Sequence, residues 1–108
     1  MARQQHAKFD EGLALIQLGR TIGKMDPASL EGGEKYLLEG INIYKEMNVR
    51  PYYSQGYLLL GDMYTDAGRV DEARKYLEKA KSNFKDLGLD FWLSRTHAVL
   101  ARLQEVSK

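Results

Sequence analysis

The fold is decided by residues 57–80, which read YLLLGDMYTDAGRVDEARKYLEKA. In the second half, apolar residues recur three and four positions apart at Ala73, Leu77 and Ala80, with charged residues between them. This spacing is typical of an amphipathic helix. Gly68 interrupts the pattern, as glycine does where a helix ends in a left-handed residue. Residues 57–80 therefore predict two helices joined by a short turn.

The same signals continue in both directions along the chain. Pro51 fits the first turn of a helix, and Gly88 follows the last apolar residue of the next one. Gly33 aligns with Ala73, so we expect it inside a helix at a close contact. The pattern predicts an all-α fold with five antiparallel helices in a single domain at 7–106. The expected helices are residues 7–24, 30–47, 51–67, 71–87 and 91–106.

The chain repeats itself at an offset of about 40 residues, within the range of known helical repeats. Tyr36 aligns with Tyr76 at this offset, and Ser54 aligns with Ser94. Upstream the offset is longer by two positions, which aligns Gly19 with Gly61. A fixed period of this kind is typical of stacked helix pairs, each of which buries its apolar face against its neighbour.

The residues that carry a family resemblance are Tyr57, Leu60, Gly61 and Tyr64, followed by Gly68, Ala73, Leu77 and Ala80. This pattern resembles the tetratricopeptide repeat (TPR). It departs from that family in having Tyr57 at the usual tryptophan position and Leu77 at a usual aromatic one. The long period is similar to the long-helix variant in regulatory repeats of MalT-like activators, signalling ATPases and nucleotide cyclases. The resemblance implies repeat 1 at about 7–47, repeat 2 at about 51–87 and a capping helix at about 91–106.

The amino-acid composition limits the kinds of molecule that we expect as partners. Sixteen Lys and Arg balance 15 Asp and Glu without a basic run, so we expect no nucleic-acid partner. The sequence has no cysteine, no apolar stretch long enough to span a membrane and no apolar signal segment at its start. We therefore expect no membrane association and a location in the cytoplasm. The sequence leaves open whether this chain is part of a longer protein.

No catalytic or cofactor motif is found. His6 falls in a polar segment expected to precede the first helix, and His97 aligns with Tyr57, which favours a packing role. Gly12, Gly19 and Gly23 share one helix, so they do not form a phosphate loop. We expect no enzymatic activity, no cofactor and no metal.

The resemblance implies a protein- or peptide-binding scaffold in a signalling or regulatory assembly, with the first helix of each repeat lining a concave face. The matching positions are Ile16, Arg20, Gln55, Leu58, Asp62, Thr65, Ala98 and Arg102. Arg20, Asp62 and Arg102 occupy one register position, which predicts either a ladder of ion pairs or a charged floor that binds carboxylates. They do not match the Lys and Asn pattern of the carboxylate-clamp members of the family.

A second function remains open, in which the chain is a self-association or coupling module. It would then either form a homodimer or pack against neighbouring repeats of a longer protein. The first helix carries more apolar residues than one buried stripe requires, which is a common sign of a contact surface. The residues expected to make this contact are Phe9, Leu13 and Ile16.

Overall fold

The computed structural model describes residues 2–25 and 30–107, with side chains described from residue 7 onward. Its helices are α1 (Ala2–Met25), α2 (Leu30–Glu46), α3 (Arg50–Asp66), α4 (Val70–Leu87) and α5 (Asp90–Val106). The predicted all-α helical repeat array is confirmed, and α2 to α5 match the expected bounds to within one residue. Asp26 and Pro27, whose residue types are typical of a helix start, lie outside the described residues.

The expected start of the first helix was wrong, because α1 begins at Ala2 and includes His6. The segment expected to be a tail is built from Ala, Arg, Gln and Lys, which mostly have high helix propensity. Neither glycine nor proline occurs before Gly12. Polarity suggested a tail, but nothing in these residues ends a helix.

Three turns close the helices with the same backbone motif. Asn48, Gly68 and Gly88 have positive φ angles of 60°, 75° and 69°. At each turn the next residue donates its amide proton back to a helix carbonyl, as from Leu89 to Phe84 at 2.9 Å. This bond belongs to the Schellman motif, which satisfies carbonyl groups that a helix end leaves free. The turns are evenly spaced along the chain, so they set the repeat period.

The α1 and α2 backbones lie in close contact at two glycines. A Cβ atom added to Gly19 would lie 2.6 Å from the carbonyl oxygen of Gly33, and one added to Gly33 would lie 2.7 Å from that of Gly19. Gly33 therefore lies inside a helix at a close contact, as expected from its alignment with Ala73. The crossing has no space for a side chain on either helix.

The second helix pair crosses at the aligned positions. A Cβ atom added to Gly61 would lie 2.5 Å from Cγ of Leu77 and 3.4 Å from the carbonyl oxygen of Ala73. Ala73 and Leu77 are fully buried. The small residues that the repeat pattern placed at the crossing are therefore where α3 and α4 approach each other.

The leading helices α1, α3 and α5 run side by side in the same direction, and α2 and α4 pack against them from one side. Gly23 of α1 packs against Met63 of α3, and Ile16 packs near Gly56 of the same helix. Asp62 of α3 contacts Arg102 of α5. Among the described residues α1 and α5 make no contact with each other, so α3 is the floor between them. The described helices include no candidate for a membrane span.

A matched pair of Gly→Ala substitutions tests the α1–α2 crossing. Gly19→Ala should lower the free energy of unfolding by about 1–3 kcal/mol, because the new methyl group meets backbone atoms that cannot rotate away. Gly32→Ala introduces the same methyl group in a helix, where the nearest atom is 3.5 Å away at Ile22. It should leave the melting temperature unchanged or raise it, since alanine favours helix over glycine. If Gly19→Ala and Gly32→Ala changed the melting temperature equally, the close contact at the α1–α2 crossing would be contradicted.

Candidate binding groove

A groove of about 390 Å³ lies on the face formed by the leading helices, with α1 and α5 as walls and α3 as floor. Twelve of its lining residues form four rows, each with one residue from α1, α3 and α5. The rows are Leu13–Gln55–Arg95, Ile16–Leu58–Ala98, Gln17–Leu59–Val99 and Arg20–Asp62–Arg102. Tyr44, Tyr52 and Trp92 complete the lining at the end of the groove near the first row.

The rows follow from helix geometry. Residues at i, i+3, i+4 and i+7 lie on one face of a helix. The same four positions are used in α1, α3 and α5, at the offsets that align the repeats with one another. Because the leading helices are parallel and in register, equivalent residues meet across the groove.

The groove brings together seven residues that the sequence placed on the concave face. They are Ile16, Arg20, Gln55, Leu58, Asp62, Ala98 and Arg102. Thr65 is a correction: its side chain is 1% exposed, and its hydroxyl donates a hydrogen bond of 2.8 Å to the carbonyl oxygen of Gly61. It satisfies its polar group within α3 and does not line the groove.

The three residues expected to mediate self-association occupy different places. Ile16 is 5% exposed and belongs to the core, where it reaches the groove only at its edge. Phe9 is half-buried against the rings of Tyr44 and Tyr52. Leu13 is 43% exposed and lines the groove. Phe9 and Ile16 are therefore already packed against other residues of the same chain.

Several groove residues were missed at the sequence level, notably Gln17, Leu59, Arg95 and Val99. A signal for them was present, because each lies one turn or less from a residue that was named. Applying the four-position pattern to all three leading helices would have found them. Tyr44 gives no such signal, since it reaches the groove from α2.

One end of the groove carries an incomplete charge ladder. Nη2 of Arg102 donates hydrogen bonds to Oδ1 of Asp62 and, at 3.0 Å, to Oδ1 of Asp66. The hydrogen bond with Asp62 is the main reason that the pKa of Arg102 is raised. Arg20 completes the row but makes no hydrogen bond or ion pair with any described residue. Arg102 therefore pairs with both carboxylates, and Arg20 has no direct partner among the described residues.

The opposite end of the groove is aromatic. Tyr44 and Tyr52 have ring centroids 5.4 Å apart, and the hydroxyl of Tyr44 donates to the carbonyl oxygen of Phe9 at 3.0 Å. Burial raises the pKa of Tyr44, which favours the protonated hydroxyl that donates this hydrogen bond. The guanidinium of Arg95 lies 5.4 Å from the centre of the Phe91 ring and has no carboxylate partner within the described part of the chain. A second guanidinium group without an ion-pair partner among the described residues therefore borders the aromatic end.

The expected packing role of His97 is wrong. His97 aligns with the buried Tyr57, yet it is exposed, because no described helix covers this side of α5. The described residues contain no cluster of three or more His, Cys, Asp or Glu side chains arranged to hold a metal ion.

Comparison with known proteins found no family model that matches the chain and no solved structure that matches it significantly.

A double-mutant cycle on Asp62→Asn and Arg102→Gln measures the strength of the ion pair between these two side chains. Both side chains are partly exposed, so we expect a coupling free energy below about 1 kcal/mol. Raising NaCl from about 0.1 to about 1 M should reduce it further, because salt screens exposed charges. Urea denaturation measures the free energy of unfolding of the original protein, the two single variants and the double variant. A coupling that stays well above this limit at high salt would contradict an exposed ion pair.

Proposed function

We propose that this protein is a non-enzymatic scaffold that binds a polypeptide segment in the groove between α1 and α5. The observation that carries the proposal is a pair of guanidinium groups, Arg20 and Arg95, that make no ion pair with any described residue and lie beside apolar side chains in a concave surface. An arginine without a partner presents donors that match a carboxylate in a bidentate arrangement.

The groove supports binding of a segment with two kinds of side chain. Leu13, Leu59 and Val99, none of which is fully buried, offer apolar contacts along the groove. Tyr52 and Trp92 add aromatic surface at one end, and such residues are common anchors in protein interfaces. The ligand that fits is a segment with an acidic residue close to an apolar or aromatic one.

The chemistry of the lining favours binding over catalysis. The lining residues include no histidine, cysteine, serine, lysine or glutamate, and their single acid, Asp62, is held by Arg102. A general base must be free to take a proton, and a nucleophile needs an adjacent base. Neither arrangement is available among the residues that line the groove.

We further propose that the chain is a tetratricopeptide-type array of the long-helix kind that works in a cytoplasmic signalling or regulatory assembly. The crossings at Gly19 and Gly61 support this, since small residues stand where that repeat brings its helices together. The even spacing of the three Schellman turns supports it as well, because it gives α3 and α4 nearly the same length.

Selection from a random peptide library on the immobilised protein tests the groove directly. We expect selected peptides to be enriched in Asp or Glu next to aromatic or aliphatic residues. Arg20→Glu should weaken their binding at least tenfold, or about 1.4 kcal/mol, because it replaces a cation with a repelling charge. Fluorescence anisotropy of labelled peptides measures the change.

The matched control is Lys35→Glu, which makes the same charge change at an exposed position of α2 away from the groove. It should change affinity less than twofold. Peptides that bind both variants equally, or a selection without enrichment, would count against the groove as the binding site.

A further inference from the structure

The outer side of α1 carries a second surface with exposed apolar residues, separate from the groove. Its residues recur at alternating spacings of four and three: Ala7, Glu11, Ala14, Leu18, Thr21 and Met25. We call this set the outer seam. All six residues are exposed, Leu18 by 44% and Met25 by 78%. A four–three spacing keeps one face of a helix against a partner helix, as in a coiled coil.

The repeat shows what kind of element covers this register. The positions of α3 that align with Ala14 and Leu18 are Gly56 and Leu60, which are both buried. Gly56 packs directly against Ile41 of α2. In α3, therefore, the seam register is covered by an antiparallel helix. Among the described helices, α1 contacts only α2 and α3, which leaves its outer seam bare.

The two ends of the array differ in polarity. On the outer side of α5, His97 and Gln104 occupy the positions of Tyr57 and Tyr64, and both are exposed. Repeat arrays need such a polar outer face where they end in solvent. The outer seam instead exposes the apolar residues Leu18 and Met25, so the α1 end of the array is suited to a contact with another polypeptide.

We infer that the outer seam packs against the same seam of a second copy, with the two α1 helices antiparallel about a two-fold axis. The axis lies between Ala14 and Leu18. Ala14 then faces Leu18 of the second copy, Ala7 faces Met25, and Glu11 faces Thr21. Every large apolar residue meets a small one, which is the complementarity that an isologous contact requires. The contact extends over about 27 Å, from the rise per residue of a helix.

The charges on and beside the seam select the antiparallel arrangement. Asp10 and Lys24 flank the seam near its two ends, and both are exposed. Antiparallel packing brings Asp10 of each copy near Lys24 of the other, so the attraction occurs twice. Parallel packing in register would instead place Glu11 against Glu11 of the second copy, and like charges at a seam are destabilising.

This contact is independent of the proposed groove function, because none of the six seam residues lines the groove. The dimer leaves both grooves open. It also moves the self-association surface from Phe9, Leu13 and Ile16, expected from the sequence, to the opposite side of α1.

Sedimentation equilibrium from low to high micromolar protein tests the inference on the whole chain. We expect the mass to rise from 12.3 kDa toward twice that value. Leu18→Lys should weaken dimerisation at least tenfold, since it places two cations in the apolar seam. The control Leu38→Lys alters a half-exposed leucine of α2 outside the seam and should leave dimerisation unchanged. Circular dichroism confirms that both variants keep their helix content.

A charge swap tests the orientation. Asp10→Lys and Lys24→Asp should each weaken the dimer, whereas the double variant should restore it to within about threefold of the original. A chain that stays monomeric at the highest concentration overturns the inference, and so does a dimer insensitive to Leu18→Lys. A double swap that fails to restore association overturns the antiparallel arrangement. Peptide binding in the groove should be the same in Leu18→Lys, so failure of the dimer can be distinguished from failure of the groove.

Discussion

The close approach of helix backbones at Gly19 and Gly33 sets the distance on which the rest of the fold depends. With no side chain between them, α1 and α2 pack at their backbones. In α3 and α4 the crossing lies at the aligned residues Gly61 and Ala73, where the Leu77 side chain packs against Gly61. Crossings at aligned positions in the two pairs keep the leading helices parallel and in register. The groove rows exist because of that register: a shift of one residue in any leading helix would rotate its face by about 100° and separate Arg102 from Asp62.

The array presents two surfaces of different character on one helix. The groove side of α1 offers Leu13 and Arg20 to a shared concavity, whereas the outer side offers Leu18 and Met25 to a contact of its own. A helix needs about a third of its circumference for the core, so the remaining two thirds of α1 leave room for both. This division explains why the first helix carries more apolar residues than the core requires.

Much of the fold was predictable from the sequence, because glycine and small-residue positions recur at a fixed offset. The helix ends at Gly68 and Gly88 followed from backbone rules, whereas the crossing at Gly61 was implied by the resemblance to the tetratricopeptide repeat. The start of α1 was not predictable in the same way, since its first residues favour a helix by propensity but carry no apolar stripe. Thr65 and His97 were misplaced for a shared reason: alignment gives a residue's position in its repeat, while burial depends on whether a neighbouring helix is present. The alignment of the repeats predicted the row that contains Arg20. It did not predict that Arg20 lacks an ion-pair partner among the described residues, because ion pairing depends on distances between side chains that sequence spacing does not give.

The three turns with a left-handed residue have a consequence for how such a chain grows. Each closes by the same main-chain bonds, whether the left-handed residue is Asn48 or glycine. The segment between Asn48 and Gly88 contains two helices and has a turn of the same geometry at each end. A duplicate of this segment could therefore be inserted at either turn without a change in the backbone geometry of the junctions. The unit that can be duplicated is thus defined by the turns and not by the side chains between them. Lengthening by duplication would extend the concave face one leading helix at a time, while mutation remained free to give each added helix its own binding residues.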